Sequence, residues 1–510
     1  MPEMIKVKVF RFNPEVDKGG RLEAYELDKE PGMRVLGALK ALNKQGHNIA
    51  FRRSCEEWEC GSCAVRANGT PALACKTEVQ DGMILEPLPD LPVSMDLIVD
   101  RSNHFKKLAE QYMLPEKKLG KELSYDQQNR MWNAITCMEC GVCLASCPIL
   151  HPKGDSYKYW GPEYMVQMFR TLMDTRVEKG VLETSVKEGM WECTACRHCV
   201  ENCPQRIPIL DEILELRQHI IEELGSRVPP TIRDMNESLI KNNNPYGKPW
   251  TKRMDWAEGL SVPDVKEGGK DILYFVGSAE CYNPRDQDVA RAMVDVFNKV
   301  HVAFGTLGID EACGGDPAFS TGEAGLFGEL ATKNIENFKK YGVKRIVTTS
   351  PHDYHVIKNK YPAYGGNFEV VHYTQFIEEL IEQKRLTFSG RIDRTVTFHD
   401  PCYLGRFNGV YESPRKILNA IPGLKLAEMA RNRNQSECCG GGGGGNWLDI
   451  PAGERIGERR VAQAADTGAD TLVVACPFCL AMFEDAVKTK GLEGKIAVKQ
   501  LIELVREAMI

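Results

Sequence analysis

The chain has 510 residues, of which 43% are hydrophobic and 27% are charged, a balance typical of folded domains and not of a disordered chain. At roughly 100–200 residues per domain, this length predicts about three to five domains. The net charge of −6 argues against a nucleic-acid binder, which would normally carry a basic stripe.

The N-terminal residues predict neither a signal peptide nor a membrane anchor. Residues 1–12 alternate charged with apolar side chains and lack the apolar core of a signal peptide. No apolar run approaches the roughly 18 residues that a transmembrane helix needs. We therefore expect a cytoplasmic protein with no transmembrane segment of its own, in which the 19 cysteines serve metal or redox chemistry rather than disulfides.

Residues 1–105 predict a small β-rich domain. Ile5, Val7 and Val9 alternate with lysines, as in a half-buried strand, and a second short strand is expected at residues 22–27. Apolar residues then recur at helical spacing over residues 35–42. A hairpin followed by a helix suits a β-grasp ferredoxin. The cysteines of this segment follow the plant-type [2Fe–2S] spacing, C-x4-C-x2-C plus one distant cysteine, and are Cys55, Cys60, Cys63 and Cys75.

The same cysteines are poorly spaced for zinc, which usually takes two C-x2–4-C pairs. The stretch RRSCEEWECGSCAVRANGTPALAC, residues 52–75, resembles the iron–sulfur subunits of succinate dehydrogenase and fumarate reductase. The resemblance covers about residues 1–220. It implies that the [2Fe–2S] domain docks on a flavoprotein that interconverts fumarate and succinate.

Two further runs of cysteines, each C-x2-C-x2-C-x3-C-P, predict a helical two-cluster ferredoxin domain at residues 106–240. The residues between the runs carry an apolar helical stripe from Tyr164 to Leu172, and another amphipathic helix is expected over residues 209–224. In two-cluster ferredoxins the fourth cysteine of each run ligates the other cluster. This rule assigns Cys137, Cys140, Cys143 and Cys203 to cluster A, and Cys193, Cys196, Cys199 and Cys147 to cluster B.

Both runs depart from the succinate dehydrogenase pattern. Those subunits carry one [4Fe–4S] and one [3Fe–4S] cluster, whereas both runs are complete here, so two [4Fe–4S] clusters are expected. The family's quinone pocket uses a tryptophan soon after the first Cys-Pro. Here Pro148 is followed by Ile149, Leu150 and His151, which weakens a quinone role for this domain.

The C-terminal half contains an internal duplication. Residues 241–269 are rich in Asn, Pro, Gly and charge and predict a linker. Beyond them, a Cys-Tyr-x-x-Arg motif occurs at Cys281 and again at Cys402, and Cys-Gly-Gly at Cys313 and again at Cys439. An apolar strand precedes the last motif of each half, with helical patterns around it. We therefore predict two duplicated α/β domains, at residues 270–392 and 393–510.

The second copy has five cysteines in the pattern of a cysteine-rich "CCG" domain, namely Cys402, Cys438, Cys439, Cys476 and Cys479. The pattern resembles the catalytic subunit of heterodisulfide reductase. This resemblance implies a non-cubane [4Fe–4S] cluster on all five cysteines, at which disulfide chemistry occurs. The glycine run at residues 440–445 is interpreted as backbone that wraps the cluster, because no clear strand or acidic partner supports a dinucleotide site.

The first copy is degenerate. Cys281 and Cys313 remain, but Ala312, Ser350 and Asp353 replace three cysteines of the motif. One interpretation is a smaller metal site, [2Fe–2S] or zinc, on Cys281, Cys313 and Asp353, with or without His352. The other is a copy without metal that is retained for packing.

The complete arrangement resembles the iron–sulfur subunits of thiol:fumarate reductases. The resemblance implies an oxidoreductase subunit that oxidises coenzyme M and coenzyme B to the heterodisulfide at the five-cysteine site and passes the electrons to FAD on a fumarate-reducing partner. No FAD or NAD fingerprint occurs in the chain itself. The alternative is an electron-transfer subunit of a fumarate reductase-, succinate dehydrogenase- or glycolate oxidase-like complex with a quinone-linked or flavoprotein partner. A zinc scaffold without redox chemistry is the third class.

Overall fold

The computed structural model describes residues 3–111, 120–151, 157–177, 180–270 and 272–509. The chain divides into two compact units. The first comprises Met1–Lys153, Lys158–Met190 and Arg197–Leu216. The second comprises Gly154–Tyr157, Trp191–Cys196 and Arg217–Ile510.

The first unit is built on a mixed five-stranded sheet in the order β2-β1-β5-β3-β4. The predicted alternation is confirmed, since Ile5, Val7 and Val9 are buried while their lysine neighbours are exposed. The strand β1 pairs antiparallel with β2 and parallel with β5. A separate two-stranded sheet is formed by β6 and β7. The strands are β1 Glu3–Arg11, β2 Arg21–Lys29, β3 Ala64–Ala67, β4 Thr70–Leu73, β5 Met83–Glu86, β6 Val93–Met95 and β7 Ile98–Val99.

The first helix packs on the core of this sheet, and six further helices follow it in the described part of the first unit. The predicted helix over residues 35–42 is present and buries its apolar face in the core of the sheet. The stripe that begins at Tyr164 also lies on a helix, and most of that helix is buried. The helices are α1 Val35–Lys44, α2 Ser102–Gln111, α3 Tyr125–Ile135, α4 Val142–Ser146, α5 Pro162–Met173, α6 Val181–Lys187 and α7 His198–Asn202.

The next helix, α8, runs from Ile209 to Leu224, the bounds that the sequence predicted. It is followed by α9, Pro230–Asn242, which ends on Asn243 in the left-handed conformation (φ +54°). The segment expected to be a linker then forms three 3₁₀ helices, at Trp250–Lys252, Asp255–Ala257 and Val265–Glu267. Several of its side chains are almost completely buried, among them Asn244, Arg253 and Trp256.

The rest of the second unit contains two four-stranded parallel sheets with the same strand order. The first is ordered β11-β10-β8-β9 and the second β15-β14-β12-β13. Because corresponding strands occupy corresponding places, the predicted duplication is confirmed. The strands are β8 Ile272–Phe275, β9 Phe304–Gly305, β10 Arg345–Thr348, β11 Glu369–His372, β12 Thr395–Phe398, β13 Lys425–Leu426, β14 Thr471–Val474 and β15 Ala497–Gln500.

Helices connect and flank these strands, because parallel neighbours must be joined by a crossover. In the first copy they are α10 Ser278–Tyr282, α11 Pro284–Lys299, α12 Asp316–Thr321, α13 Ala324–Lys340, α14 Pro351–Asn359 and α15 Tyr373–Glu382. In the second they are α16 Glu412–Ala420, α17 Ile456–Ala465, α18 Pro477–Thr489 and α19 Leu501–Ala508.

Candidate iron–sulfur centres

The four cysteines of the plant-type pattern lie close together. Cys55, Cys60 and Cys63 belong to one loop, and Cys75 follows the strand β4. The sulfur atoms of Cys63 and Cys75 are 3.3 Å apart, and Cys60 is hydrogen-bonded to Cys55. Backbone N–H groups also point at the sulfurs: that of Trp58 donates to Cys75 Sγ at 3.2 Å. Such donors stabilise the thiolates that an iron–sulfur cluster requires, so these residues fit the predicted [2Fe–2S] group.

The thiols of Cys60 and Cys63 differ in acidity. Burial opposes ionisation of Cys60, but hydrogen bonds from Ser62 and Cys55 lower its pKa to about 6. Burial, followed by the neighbouring Cys75, raises the pKa of Cys63 to about 12. The thiolate of Cys60 is therefore favoured at neutral pH, whereas Cys63 would lose its proton on binding the metal.

The first bacterial-type run is joined by the last cysteine of the second run. Cys137 and Cys143 both interact electrostatically with Cys140 and with Cys203, the other two cysteines assigned to cluster A, and this ligand set stays a prediction. The buried carboxylate of Glu163 lies beside the same thiols. It accepts a hydrogen bond from the Gly141 N–H at 3.1 Å and pairs with His104 Nε2 at 2.8 Å.

Gly61 allows the loop that carries Cys55, Cys60 and Cys63 to lie against the cysteine run that begins at Cys137. Its φ of +67° is left-handed, and a Cβ added here would lie 2.7 Å from the Cβ of Cys140. Only a residue without a side chain allows this approach of the two loops.

The four cysteines assigned to cluster B are distributed over both units. Cys147 and Cys199 belong to the first unit, and Cys193 and Cys196 to the second. Their grouping stays a prediction.

The five cysteines of the second CCG copy converge at one edge of its sheet. The strands β12 and β14 are parallel neighbours, so their carboxyl ends meet at the same edge. Cys402 follows β12, and Cys476 follows β14 and caps α18, which carries Cys479 in its first turn. All five are buried and linked by hydrogen bonds: Cys438 to Cys402 and Cys439, and Cys479 to Cys439 and Cys476.

The glycine run at residues 440–445 lies against these thiols. The N–H of Gly440 donates to Cys438 Sγ at 3.3 Å, and the N–H of Gly441 donates to Cys439 Sγ at 3.5 Å. A Cβ added at Gly442 would lie 2.6 Å from the carbonyl oxygen of Thr194. The run therefore supplies donors to the sulfurs and close backbone packing, which is the wrapping that the sequence predicted.

The second unit also places part of the second cysteine run beside the five-cysteine site. Cys438 hydrogen-bonds Cys196, and Thr194 Oγ1 is 3.4 Å from Cys438 Sγ. Arg406 Nε donates to the Cys196 carbonyl at 2.7 Å. Burial by itself lowers the pKa of Arg406, but Cys196, Cys402 and Cys438 outweigh it and leave the pKa raised, so the guanidinium stays charged between the two groups of thiols.

Arg217 fixes the same region from α8. It is fully buried and donates hydrogen bonds to the carbonyls of Cys193, Ser320 and Gly443 at 2.6–3.0 Å. The three carbonyls belong to the second cysteine run, the first CCG copy and the glycine run. One side chain thus joins two loops and the helix α12 of the second unit.

His352 faces the five-cysteine site rather than the remaining cysteines of its own copy. Its ring hydrogen-bonds Cys476 and stacks on Tyr403 with centroids 3.9 Å apart. From the sequence it was an optional ligand beside Cys281, Cys313 and Asp353. The difference arises because α14 directs successive side chains to different sides, with His352 and Asp353 pointing to separate places.

Cys281, Cys313 and Asp353 are buried among charged groups in the first copy. Arg253 and Glu311 form a buried ion pair close to Cys281. Burial, then Glu311 and Asp316, raises the pKa of Asp353 to about 7. The three predicted ligands share this interior. Among the described residues, however, no three Cys, His, Asp or Glu side chains converge as a single metal ion would require. The ligands of an iron–sulfur cluster bind different irons and therefore do not need to converge on one point.

A cavity of about 290 Å³ opens beside the five-cysteine site. It reaches Gly440 and Thr194, which contact the sulfurs of that site, and its wall includes Ala481 and Met482 of α18. A small molecule could therefore approach the cysteines from this side.

Family profiles match three parts of the chain. They are a 2Fe-2S iron-sulfur cluster binding domain at residues 6–106, a 4Fe-4S dicluster domain at 133–207, and a cysteine-rich domain that matches twice, at 272–358 and 396–484. The chain is also 32% identical to a fumarate reductase (CoM/CoB) subunit of Methanothermobacter marburgensis, over 98% of this chain and 99% of that protein. The chain belongs to the family of that subunit.

Other relatives are oxidoreductase subunits as well. A subunit of the dihydromethanophenazine:CoB–CoM heterodisulfide reductase from Methanosarcina barkeri is 32% identical over 73% of this chain and 93% of that protein. The EtfAB:quinone oxidoreductase of Syntrophomonas wolfei is 32% identical over 73% of this chain, which spans 58% of that longer protein. The chain is thus an iron–sulfur electron-transfer subunit with 2Fe–2S and 4Fe–4S binding domains, as predicted. None of the helices in the described part of the chain has the length and apolar character needed to cross a bilayer.

Several residues at these centres were not predicted from the sequence. Thr194 and Arg217 carry no ligand spacing, and His352 was expected beside Cys281 and Cys313 rather than at Cys476. The roles of all three depend on contacts between distant segments. Arg406 could have been found, because it belongs to the duplicated Cys-Tyr-x-x-Arg motif.

Proposed function

We propose that the chain is the iron–sulfur subunit of a thiol:fumarate reductase. The observation that carries the proposal is the contact of Cys438 with Thr194 and Cys196. It sets a CCG-type cysteine site beside a ferredoxin-type run, so that a disulfide-forming site is joined to an electron-transfer domain. The likeness to the fumarate reductase (CoM/CoB) subunit of Methanothermobacter marburgensis over nearly the full length supports the same reaction.

The proposed ligand sets follow the sequence assignment. A [2Fe–2S] cluster belongs on Cys55, Cys60, Cys63 and Cys75, two [4Fe–4S] clusters on the cysteines assigned to clusters A and B, and a non-cubane [4Fe–4S] cluster on the five CCG cysteines. When bound, these groups carry electrons one at a time between the thiol site and FAD on the partner. We interpret the mixed sheet as a β-grasp ferredoxin, keep the domain boundaries predicted above, and place the protein in the cytoplasm.

The reaction balances without a further reactant. Two thiols form one S–S bond and release two electrons and two protons, and fumarate takes up two electrons and two protons to become succinate. The cavity beside Gly440 gives the thiols access to the cysteines from solvent, while the partner's flavin site receives fumarate.

The test uses the native complex, purified without oxygen. Supplied with fumarate, coenzyme M and coenzyme B, it should form succinate and heterodisulfide in a one-to-one ratio. Succinate formation with reduced viologen but never with the thiols would refute the thiol reaction and leave an electron-transfer subunit with another donor.

A cavity variant separates the two activities. Ala481→Phe fills the cavity without removing a cysteine, so thiol-driven fumarate reduction should fall at least tenfold while viologen-driven reduction is kept. Thr489→Phe, at the exposed end of the same helix, is the matched control. Equal thiol-driven rates in both variants would contradict the assignment of the cavity to the thiols.

A second candidate is a quinone-linked electron-transfer subunit. It is favoured by the likeness to the EtfAB:quinone oxidoreductase, which covers 73% of this chain. Reduction of fumarate by a soluble quinol analogue, with no activity from thiols, would establish it.

A further inference from the structure

The degenerate CCG copy places one of its own side chains at the cysteine site of the other copy. His352 lies in the first turn of α14 and is 5% exposed. In the duplication, Ser350-Pro351-His352-Asp353 corresponds to Cys476-Pro477-Phe478-Cys479, so His352 is the counterpart of Phe478. The two rings contact each other with centroids 4.6 Å apart.

The imidazole is held from three sides. Its Nδ1 is 2.7 Å from Asp316 Oδ2, its face stacks on Tyr403, and it hydrogen-bonds Cys476. Tyr403 follows Cys402, and Phe478 lies between Cys476 and Cys479. The ring is therefore fixed against residues adjacent to three of the five cysteines.

The arrangement sets the direction of the hydrogen bonds. The ring lies between two groups that are anionic when the site is loaded, the carboxylate of Asp316 and the thiolate of Cys476. A ring between two anions is most stable when both nitrogens carry protons and donate.

We propose that His352, oriented by Asp316, is a positioning residue for the neighbouring copy: it donates a hydrogen bond to Cys476 Sγ and raises the reduction potential of the cluster held there. Hydrogen bonds to ligand sulfurs withdraw negative charge and favour the reduced form. The inference rests on the proposed five-cysteine cluster. It gives the degenerate copy a role at that site whether or not it holds a metal itself.

The experiment compares His352→Leu and His352→Gln in the full-length protein with bound clusters. The cluster signal is identified as the one that Cys439→Ser removes, and its midpoint potential is followed by electron paramagnetic resonance during a redox titration. His352→Leu should shift the potential downward at unchanged iron content, and His352→Gln, which keeps one donor, should shift it less.

His355→Leu is the matched control. It lies on the same helix and contacts the same Tyr403 ring, but its Nδ1 pairs with the side-chain amides of Asn359 and Asn408. Unchanged potential and unchanged signal in both His352 variants would overturn the inference, as would an equal shift in His355→Leu. If His352→Leu loses iron, His352→Gln alone is compared with the wild type. A lowered potential then supports the inference, and an unchanged potential overturns it.

This experiment can fail independently of the test of the thiol reaction. A wild-type protein with no iron at the five cysteines would overturn the cluster assignment and this inference together. A potential that depends on His352, in a complex that never oxidises thiols, would support the inference and refute the thiol reaction alone.

Discussion

Replacing Gly61 by alanine should separate the loops of the [2Fe–2S] site and the first [4Fe–4S] run. The new Cβ would lie 2.7 Å from the Cβ of Cys140 and 3.0 Å from both its Cα and the carbonyl oxygen of Met138. Two of these three atoms belong to the backbone, so no side-chain rotation relieves the overlap. Ordinary contacts of a Cβ begin near 3.4 Å. The two loops must therefore move apart by about 0.7 Å.

The free-energy cost has two parts. A left-handed φ costs alanine about 1 kcal/mol, and overpacking of a tight contact costs about 1–3 kcal/mol. Gly69 supplies the control, because its φ is +78° and no atom lies within 4 Å of an added Cβ. Gly61→Ala should therefore lower the free energy of unfolding by about 1–3 kcal/mol more than Gly69→Ala.

The assay follows loss of cluster absorbance in urea, without oxygen, for the wild type and both variants. A second readout is the magnetic coupling between the reduced clusters, which should weaken in Gly61→Ala only. Equal urea midpoints and equal coupling in the two variants would show that the loops do not touch at Gly61. The proposed electron transfer between the first [4Fe–4S] run and the [2Fe–2S] site would then lose its structural support.

Two further changes test the interior of each unit. Arg217→Met removes three hydrogen bonds from a charged donor, each worth about 1.5–3 kcal/mol, and because they share one side chain we expect the free energy of unfolding to fall by about 3–5 kcal/mol. The exposed Arg227→Met is the control. An unchanged melting temperature and iron content in Arg217→Met would contradict this prediction. Burial, then Asp211 and Glu215, raises the pKa of Glu212 from 4.5 to about 8, and neither of its carboxylate oxygens has a hydrogen-bond partner among the described residues. Since the folded protein keeps a proton that the unfolded chain releases, this group makes stability fall as pH rises from about 4.5 to 8. Glu212→Gln should remove that dependence and gain on the order of 3–4 kcal/mol at pH 8; melting curves that stay parallel to the wild type from pH 6 to 8.5 would refute it.

The features that the sequence predicts correctly are those with local spacing. The alternation around Val7 forms a strand because the side-chain period of a strand is two. The helix α8 has the predicted bounds because Pro208 precedes it and Gly225 follows it, as is typical of helix ends. The cysteine runs are recognisable because a cluster needs several thiolates from one tight loop.

The unpredicted features join residues that are far apart in the chain. His352 and Cys476 lie on different copies, and no spacing rule relates them. Arg217 looks like one of many charged residues on an amphipathic helix, yet it is fully buried. The segment around Trp256 has the composition of a linker, but composition does not show that the Trp256 side chain is buried.

The duplication explains why the first copy could lose cysteines and still be retained. Its sheet keeps the strand order of the second copy, and the Arg253–Glu311 ion pair is buried in its interior. Its position equivalent to Phe478 carries a histidine that contacts Phe478 itself. Removing Cys281 and Cys313 together should therefore leave the potential of the five-cysteine cluster unchanged, whereas removing His352 should not. The cysteines of the first copy and its histidine are thus separable, and only the histidine acts on its neighbour.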